Sequence, residues 1–147
     1  MSGFEFRETM SGTFTLDGEA EGAPREIRFT GRAHVGSLLR HLGDRKADLD
    51  GEITMEGVAT ARPLHGELII DPILGRRIRY DFHFEGDDGS RYRFLGQKDV
   101  SLLDPVGSMT TLPATVSDQH GVRIASATLR FDLHDLMPFL ATFRPVL

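Results

Sequence analysis

A chain of 147 residues, 39% hydrophobic and 27% charged, has the size and composition of one globular domain, spanning residues 1–147. Its net charge of -5 argues against a general nucleic-acid surface, because phosphate binding relies on clustered lysine and arginine. The absence of cysteine excludes disulfides, thiolate nucleophiles and cysteine-ligated metals. Neither a signal peptide nor an apolar stretch of about 18 residues is visible in the sequence, so we expect a cytoplasmic, bacterial-type protein without a membrane span.

Two long β-strands are predicted near the start of the chain. Each is marked by apolar residues of one parity: first Phe4, Phe6, Met10, Phe14 and Leu16, then Ile27, Phe29, Ala33 and Val35. Gly12 and Gly31 fall on these same faces and would allow a bend or bulge. The spacing then becomes helical over residues 37–43, where Ser37 can cap and Gly43 can stop a helix of about two turns.

The middle of the chain predicts two further strands and a hairpin. Leu49, Ile53 and Met55 alternate, and Leu68 and Ile70 follow. The hairpin is the strongest signal, because alternating apolar residues flank the turn sequence Gly86-Asp87-Asp88-Gly89. Its apolar residues are Ile78, Tyr80, Phe82, Phe84, Tyr92 and Phe94.

The last third predicts two strands and a helix. Residues 110–116 are extended and β-branched, and Pro113 inside them indicates an edge or a bulge. Alternation returns at Ala125, Ala127, Leu129, Phe131 and Leu133. Helical spacing follows, and Pro138 is tolerated only in a first turn, so we expect a helix over residues 135–142.

These elements predict an all-β fold. About eight sequential strands with short connections pair with their neighbours, and closing them as a barrel removes exposed edges. We therefore expect an antiparallel meander closed as a small barrel of calycin or streptavidin-like type, with two short helices. A two-sheet β-sandwich is the alternative. A barrel of this size is filled by side chains or holds one small ligand.

Lys98 is the residue that most needs an explanation. If its strand keeps the parity of Tyr92 and Phe94, its ammonium points inward, where it must be paired or lose its proton. It would then anchor a ligand carboxylate or form an internal ion pair. A bulge at Gly96 would instead reverse the parity and place Lys98 in water. Tyr80 and Tyr92 would face the same interior, each with a hydroxyl that needs a partner.

The other chemistry-bearing residues predict no site. The six histidines form no metal-binding motif, and the adjacent carboxylates Asp87 and Asp88 fit a turn better than a calcium loop. No nucleophile elbow, phosphate loop or dinucleotide fingerprint occurs. We therefore assign no catalytic residue, metal or cofactor. The histidines are His34, His41, His65, His83, His120 and His134.

Several short motifs occur together in a suggestive order. They are Tyr80, Phe84 and Gly89 with Gly96-Gln97-Lys98-Asp99-Val100, then Thr110-Thr111-Leu112, then Leu129, Asp135-Leu136, Phe139-Leu140 and Ala141-Thr142-Phe143-Arg144. Together they resemble an uncharacterised β-rich segment attached to bacterial flavin oxidoreductases of the GMC type, which are related to cholesterol oxidases. Two positions depart from that pattern: Gln97 stands where an aromatic residue is expected, and Ser108-Met109 stands where a Trp/Ser-Asp pair is expected. The resemblance implies an association with sterol or lipid metabolism and carries over no flavin-binding or active-site residue.

Three functional hypotheses follow. The first is a non-catalytic barrel that binds a small apolar ligand through Tyr80, Phe82, Tyr92 and Phe94, with Lys98 as polar anchor. The second is an interaction module that docks on a flavin oxidoreductase or self-associates through the apolar terminal segment at residues 136–143. The third is a small isomerase or cyclase of a lipid-like substrate.

Overall fold

The described part of the chain consists almost entirely of β-strands. The computed structural model describes residues 3–18, 24–35, 46–71, 77–99, 110–131 and 144–146. Within them the strands are β1 Gly3–Leu16, β2 Arg25–Val35, β3 Lys46–Met55, β4 Ala59–Asp71, β5 Arg77–Glu85, β6 Arg91–Asp99, β7 Thr111–Asp118, β8 Arg123–Arg130 and β9 Arg144–Val146.

Eight of these strands form a closed antiparallel barrel. Each strand from β2 to β8 pairs with the next along the chain, and β1 closes the ring by pairing with both β8 and β2. β9 adds three residue pairs to the beginning of β1. The predicted closed barrel is confirmed, and it forms in place of the two-sheet alternative. Its assignment to the calycin or streptavidin-like type stays a prediction.

The sequence predictions and the described elements differ at two helices and one strand. The helices expected over residues 37–43 and 135–142 lie outside the described residues. β9 was not predicted, because three residues that include Pro145 carry no alternation. Among the residues that the structure describes, no helix has the length and apolar content needed to cross a membrane.

β4 is longer than the sequence predicts, since it begins at Ala59 rather than near Leu68. Ala59 and Leu64 both lie in the core although their parities differ. Between them Ala61 has a positive φ of 48°, and the pairing of β3 with β4 shifts register nearby. This irregularity breaks the alternation of period two, which is the signal used to recognise strands.

The barrel has two different rims. At the turn rim, short described turns join β3 to β4, β5 to β6 and β7 to β8. The predicted turn at Asp87 and Asp88 is confirmed there, and Asp87 also accepts hydrogen bonds from the Thr60 backbone and hydroxyl and from Arg62. At the opposite rim, the connecting residues 36–45, 72–76, 100–109 and 132–143 lie outside the described residues.

Aromatic side chains fill the middle of the barrel. Phe29 on β2 approaches Phe82 on β5 and Phe94 on β6, with ring centroids 5.3 and 5.5 Å apart. The rings of Phe82 and Phe94 stack at 4.5 Å. Because β2 and β6 stand four strands apart in a ring of eight, the contact between Phe29 and Phe94 joins opposite walls. Fully burying each such ring stabilises the fold by roughly 1.5–3 kcal/mol.

Gly12 provides a test of the closure. It pairs with Ile27 on β2 and with Leu129 on β8, so it lies where β1 completes the ring. A Cβ atom there would stand 1.9 Å from the Thr128 carbonyl oxygen, a backbone atom that cannot rotate away. We expect Gly12→Ala to lower the free energy of unfolding by about 2–3 kcal/mol in urea denaturation. Ser11→Ala, at the exposed neighbouring position, is the control, and equal stability of the two variants would contradict this account.

Candidate functional site

Lys98 points into the barrel. The register between β5 and β6 runs without a shift from the Arg77–Asp99 pair to the Glu85–Arg91 pair, so Gly96 carries no bulge. Lys98 therefore shares the buried face of Phe94, and only 5% of its surface is exposed. The inward alternative is confirmed, and the solvent-exposed alternative is wrong.

The partner of Lys98 is Glu8, which the sequence analysis missed. Glu8 lies on β1 with the parity of Met10 and Phe14 and is 7% exposed. Among the described residues, these two are the buried charged side chains. The signal that singled out Lys98, a charge on the apolar parity of a strand, was equally present at Glu8.

Three polar side chains meet inside the barrel, and we call them the Glu8–Tyr80–Lys98 cluster. Lys98 Nζ lies 3.9 Å from Glu8 Oε2, an ion-pair distance longer than a hydrogen bond. The Tyr80 hydroxyl donates to Glu8 Oε1. Lys98 Nζ also lies 5.1 Å from the centroid of the Tyr80 ring, within the range of a cation–π contact. One carboxylate thus supplies both the counter-charge that Lys98 needs and the hydrogen-bond acceptor that Tyr80 needs.

The cluster spans the lumen. Glu8 comes from β1, whereas Tyr80 and Lys98 come from the neighbouring strands β5 and β6. β1 and β5 stand four strands apart in the ring of eight, so the carboxylate and the phenol reach each other from opposite walls. Lys98 is the last residue but one of β6, so it lies close to the opposite rim, the end of the barrel away from the described turns.

Burial sets the electrostatics of the cluster. Removal from water lowers the pKa of the Lys98 ammonium, and the nearby Glu8 carboxylate only partly offsets this effect. Burial also raises the pKa of Tyr80 well above its usual value, and the charge and hydrogen bond of Glu8 raise it further. The fold therefore favours a protonated phenol and makes an uncharged amine more accessible than in water.

The predicted ligand-contacting aromatic residues divide into two groups. Tyr80, Phe82 and Phe94 are fully buried, and the two phenylalanines pack on each other and on Phe29. Tyr92, the second residue of β6, is half-buried near the turn rim and packs on Phe84. Whether any of them contacts a ligand stays a prediction.

A shallow, open groove of about 540 Å³ lies on the outside of the barrel. It follows the place where the paired stretch of β6 and β7 ends, at Gly96 and Ala114. Its lining combines small residues with charged and polar side chains. The lining comprises Arg79, Leu95, Gly96, Gln97, Asp99, Pro113, Ala114, Thr115, Ser126 and Ala127.

The described histidines do not form a metal-binding cluster. His65 on β4 and His83 on β5 stand directly opposite each other and are exposed on the outer face, a pairing that only the strand register reveals. His34 Nδ1 lies 3.9 Å from a Glu5 carboxylate oxygen. In the part of the chain that the structure describes, no three histidine or acidic side chains are grouped to hold a metal ion. His41 and His134 lie outside it.

Comparisons with protein-family models, with curated proteins and with solved structures each found no match to this chain. The resemblance to a segment of GMC-type flavin oxidoreductases accordingly stays a prediction that rests on its short motifs.

The ion pair leads to a stability prediction. Lys98→Met leaves the Glu8 carboxylate buried without its cation, so we expect a loss of about 3 kcal/mol in the free energy of unfolding. Combining it with Glu8→Gln should cost less than the two single changes added together, because neither charge is then stranded. Lys46→Met is the control, since Lys46 pairs with Glu67 at 3.7 Å on the surface and should matter by less than about 1 kcal/mol. Additive losses from Lys98 and Glu8 would contradict the coupling.

Tyr80 leads to a prediction about alkaline pH. The unfolded chain ionises tyrosine near pH ~10, whereas the raised pKa keeps Tyr80 protonated in the folded barrel. Above about pH 10 the folded state therefore binds more protons than the unfolded state. The contribution of Tyr80 to the free energy of unfolding is complete below that pH and falls by up to about 1.4 kcal/mol per pH unit above it. We expect Tyr80→Phe to remove this part of the slope in urea denaturation series at rising pH. Tyr92→Phe is the control, and an unchanged slope in Tyr80→Phe would overturn the assignment.

Proposed function

We propose that the protein is a non-catalytic β-barrel that binds a small, mainly apolar ligand and holds one polar group of it at the Glu8–Tyr80–Lys98 cluster. The observation that carries this proposal is a charged cluster spanning an otherwise apolar interior. Binding sites for small molecules typically combine apolar walls with a few convergent polar groups. The ammonium of Lys98 has three N–H donors, and at 3.9 Å from Glu8 they can be shared with an oxygen of a ligand.

The charges of the cluster favour a neutral ligand. The Lys98 ammonium is balanced by the Glu8 carboxylate, and the Tyr80 hydroxyl is neutral, so the cluster as a whole carries no net charge. A ligand carboxylate would add a buried charge without a counter-ion, which is costly. A carbonyl or hydroxyl oxygen could instead accept a hydrogen bond at no such cost. Alcohols, aldehydes and ketones with an apolar body therefore fit better than fatty acids.

Apolar and polar side chains lie at different depths of the lumen. In the middle of the lumen the rings of Phe82 and Phe94 stack on each other, and the ring of Phe29 packs against both at a steep angle. Lys98 lies beyond them, beside the opposite rim.

A lipid- or sterol-like ligand is consistent with the resemblance to a segment of cholesterol-oxidase-like flavoenzymes. That resemblance supports an accessory role in lipid metabolism.

The competing hypotheses have less support from the described surface. A docking module needs an exposed apolar face of more than a few hundred Å². Among the described residues, the exposed large hydrophobic side chain is Val122, at 59%. The apolar segment at residues 136–143 lies outside them, so docking on a flavin oxidoreductase stays a prediction. The isomerase or cyclase hypothesis keeps one argument, the buried titratable groups of the cluster.

Native mass spectrometry tests the proposed function. Protein purified from its own host is first examined for a retained small molecule, which solvent extraction then identifies. Stripped protein is next offered decan-1-ol, decan-2-one and decanoate. We expect the alcohol and the ketone to bind and the carboxylate to bind at least about tenfold more weakly, the factor that about 1.4 kcal/mol represents.

The Glu8→Gln/Lys98→Met variant should lose this affinity for alcohol and ketone, with Lys46→Met as the unaffected control. A wild-type protein that retains no small molecule and binds none of the three compounds would refute the proposal. Preference for decanoate would refute the charge argument.

A further inference from the structure

The chain uses lysine in only two places. Of its 17 lysine and arginine residues, all except Lys46 and Lys98 are arginine. Lys46 is half-exposed beside Glu67, whereas Lys98 is buried beside Glu8. Arginine is the better residue for a buried ion pair, because its planar guanidinium keeps its charge and can bind a carboxylate through two hydrogen bonds. A lysine has a property that arginine lacks: its amine can lose a proton and act as a nucleophile.

We propose that Lys98 captures an aldehyde or ketone as an imine, with Glu8 as the counter-ion of the charged adduct. This inference rests on the proposed function, since a neutral carbonyl compound must first enter the barrel. It goes further by naming the ligand class and by making the attachment covalent and reversible.

The reaction balances without a further reagent. The Lys98 ammonium first gives one proton to the Glu8 carboxylate, and the neutral amine nitrogen attacks the carbonyl carbon; a C–N bond forms, the C=O π bond breaks, and the oxygen takes a proton from the attacking nitrogen to give a carbinolamine. The proton held by Glu8 then passes to the carbinolamine hydroxyl, the C–O bond breaks and water leaves, which gives an iminium ion beside the restored carboxylate. Ammonium and carbonyl compound are thus converted to iminium and water, and the pair with Glu8 carries no net charge before or after the reaction.

The surroundings of Lys98 favour this chemistry. Desolvation lowers the pKa of its ammonium, which increases the fraction of nucleophilic amine at neutral pH. The Glu8 carboxylate, 3.9 Å away, would face the iminium charge as it now faces the ammonium. Tyr80 acts as a positioning residue, because its hydroxyl donates to the other oxygen of Glu8 and holds that carboxylate in place. An apolar interior also limits the water that would hydrolyse the imine.

Reductive trapping tests the inference on the whole folded chain. The protein is incubated at neutral pH with decanal and sodium cyanoborohydride, which adds hydride to an iminium carbon and fixes the adduct as a secondary amine. Intact mass and peptide mapping then locate the added decyl group. The chain contains no cysteine to compete for the aldehyde, so the rival sites are Lys46 and the terminal amine.

We expect one decyl group, mainly on Lys98, and its loss in Lys98→Arg, which keeps the positive charge. Lys46→Arg should label as the wild type does. Glu8→Gln should slow the labelling of Lys98, because the iminium loses its counter-ion. Labelling spread over Lys46 and the terminus, or an equal amount in Lys98→Arg, would overturn the inference.

The binding function and imine formation can fail separately. Binding of decan-2-one and decan-1-ol without any trapped adduct on Lys98 would refute imine formation alone. Absence of both binding and adduct would refute the proposed function together with imine formation.

Discussion

A buried ion pair that crosses the lumen is the constraint around which this barrel is arranged. Removing two charges from water costs several kcal/mol for each ion, and only close and well-directed partners offset that cost. Glu8 and Lys98 reach each other from opposite walls, and the Tyr80 hydroxyl satisfies the carboxylate oxygen that does not face Lys98. The three strands that carry these residues must therefore keep their register, because a shift by one residue would move a charge to the outside and leave another unpaired.

The remainder of the interior is organised around aromatic packing. Phe29, Phe82 and Phe94 bring their rings together in the middle of the barrel, where side chains from facing strands are close enough to touch. This filling stabilises the fold and leaves the Glu8–Tyr80–Lys98 cluster as the place where polar chemistry is concentrated. Gly12 has a different role, because its missing side chain lets β1 approach β8 closely enough to complete the ring.

The chemistry that we propose follows from the balance of charges. An ammonium that is already neutralised by a carboxylate is a poor receptor for an anion and a good donor to a neutral oxygen. The same desolvation that makes the pair costly also lowers the pKa of Lys98. In our proposal, binding of a carbonyl group and its covalent capture are therefore two consequences of one environment.

The sequence by itself determined the class of the fold, because alternation of period two is a local property that a strand displays wherever it lies. It located the aromatic hairpin and its turn at Gly86 to Gly89, and it singled out Lys98 as a charge whose direction depends on whether Gly96 carries a bulge. The unshifted register of β5 with β6 decided that Lys98 points inward. It did not predict the part of β4 before Leu68, because the irregularity at Ala61 changes which alternate residues face the core. The partner of Lys98, the meeting of Phe29 with the hairpin, and the pairing of His65 with His83 were decided only by the tertiary structure. These contacts depend on which strands face each other once the ring has closed, and closure brings together residues as distant in sequence as Glu8 and Tyr80, which no local pattern relates.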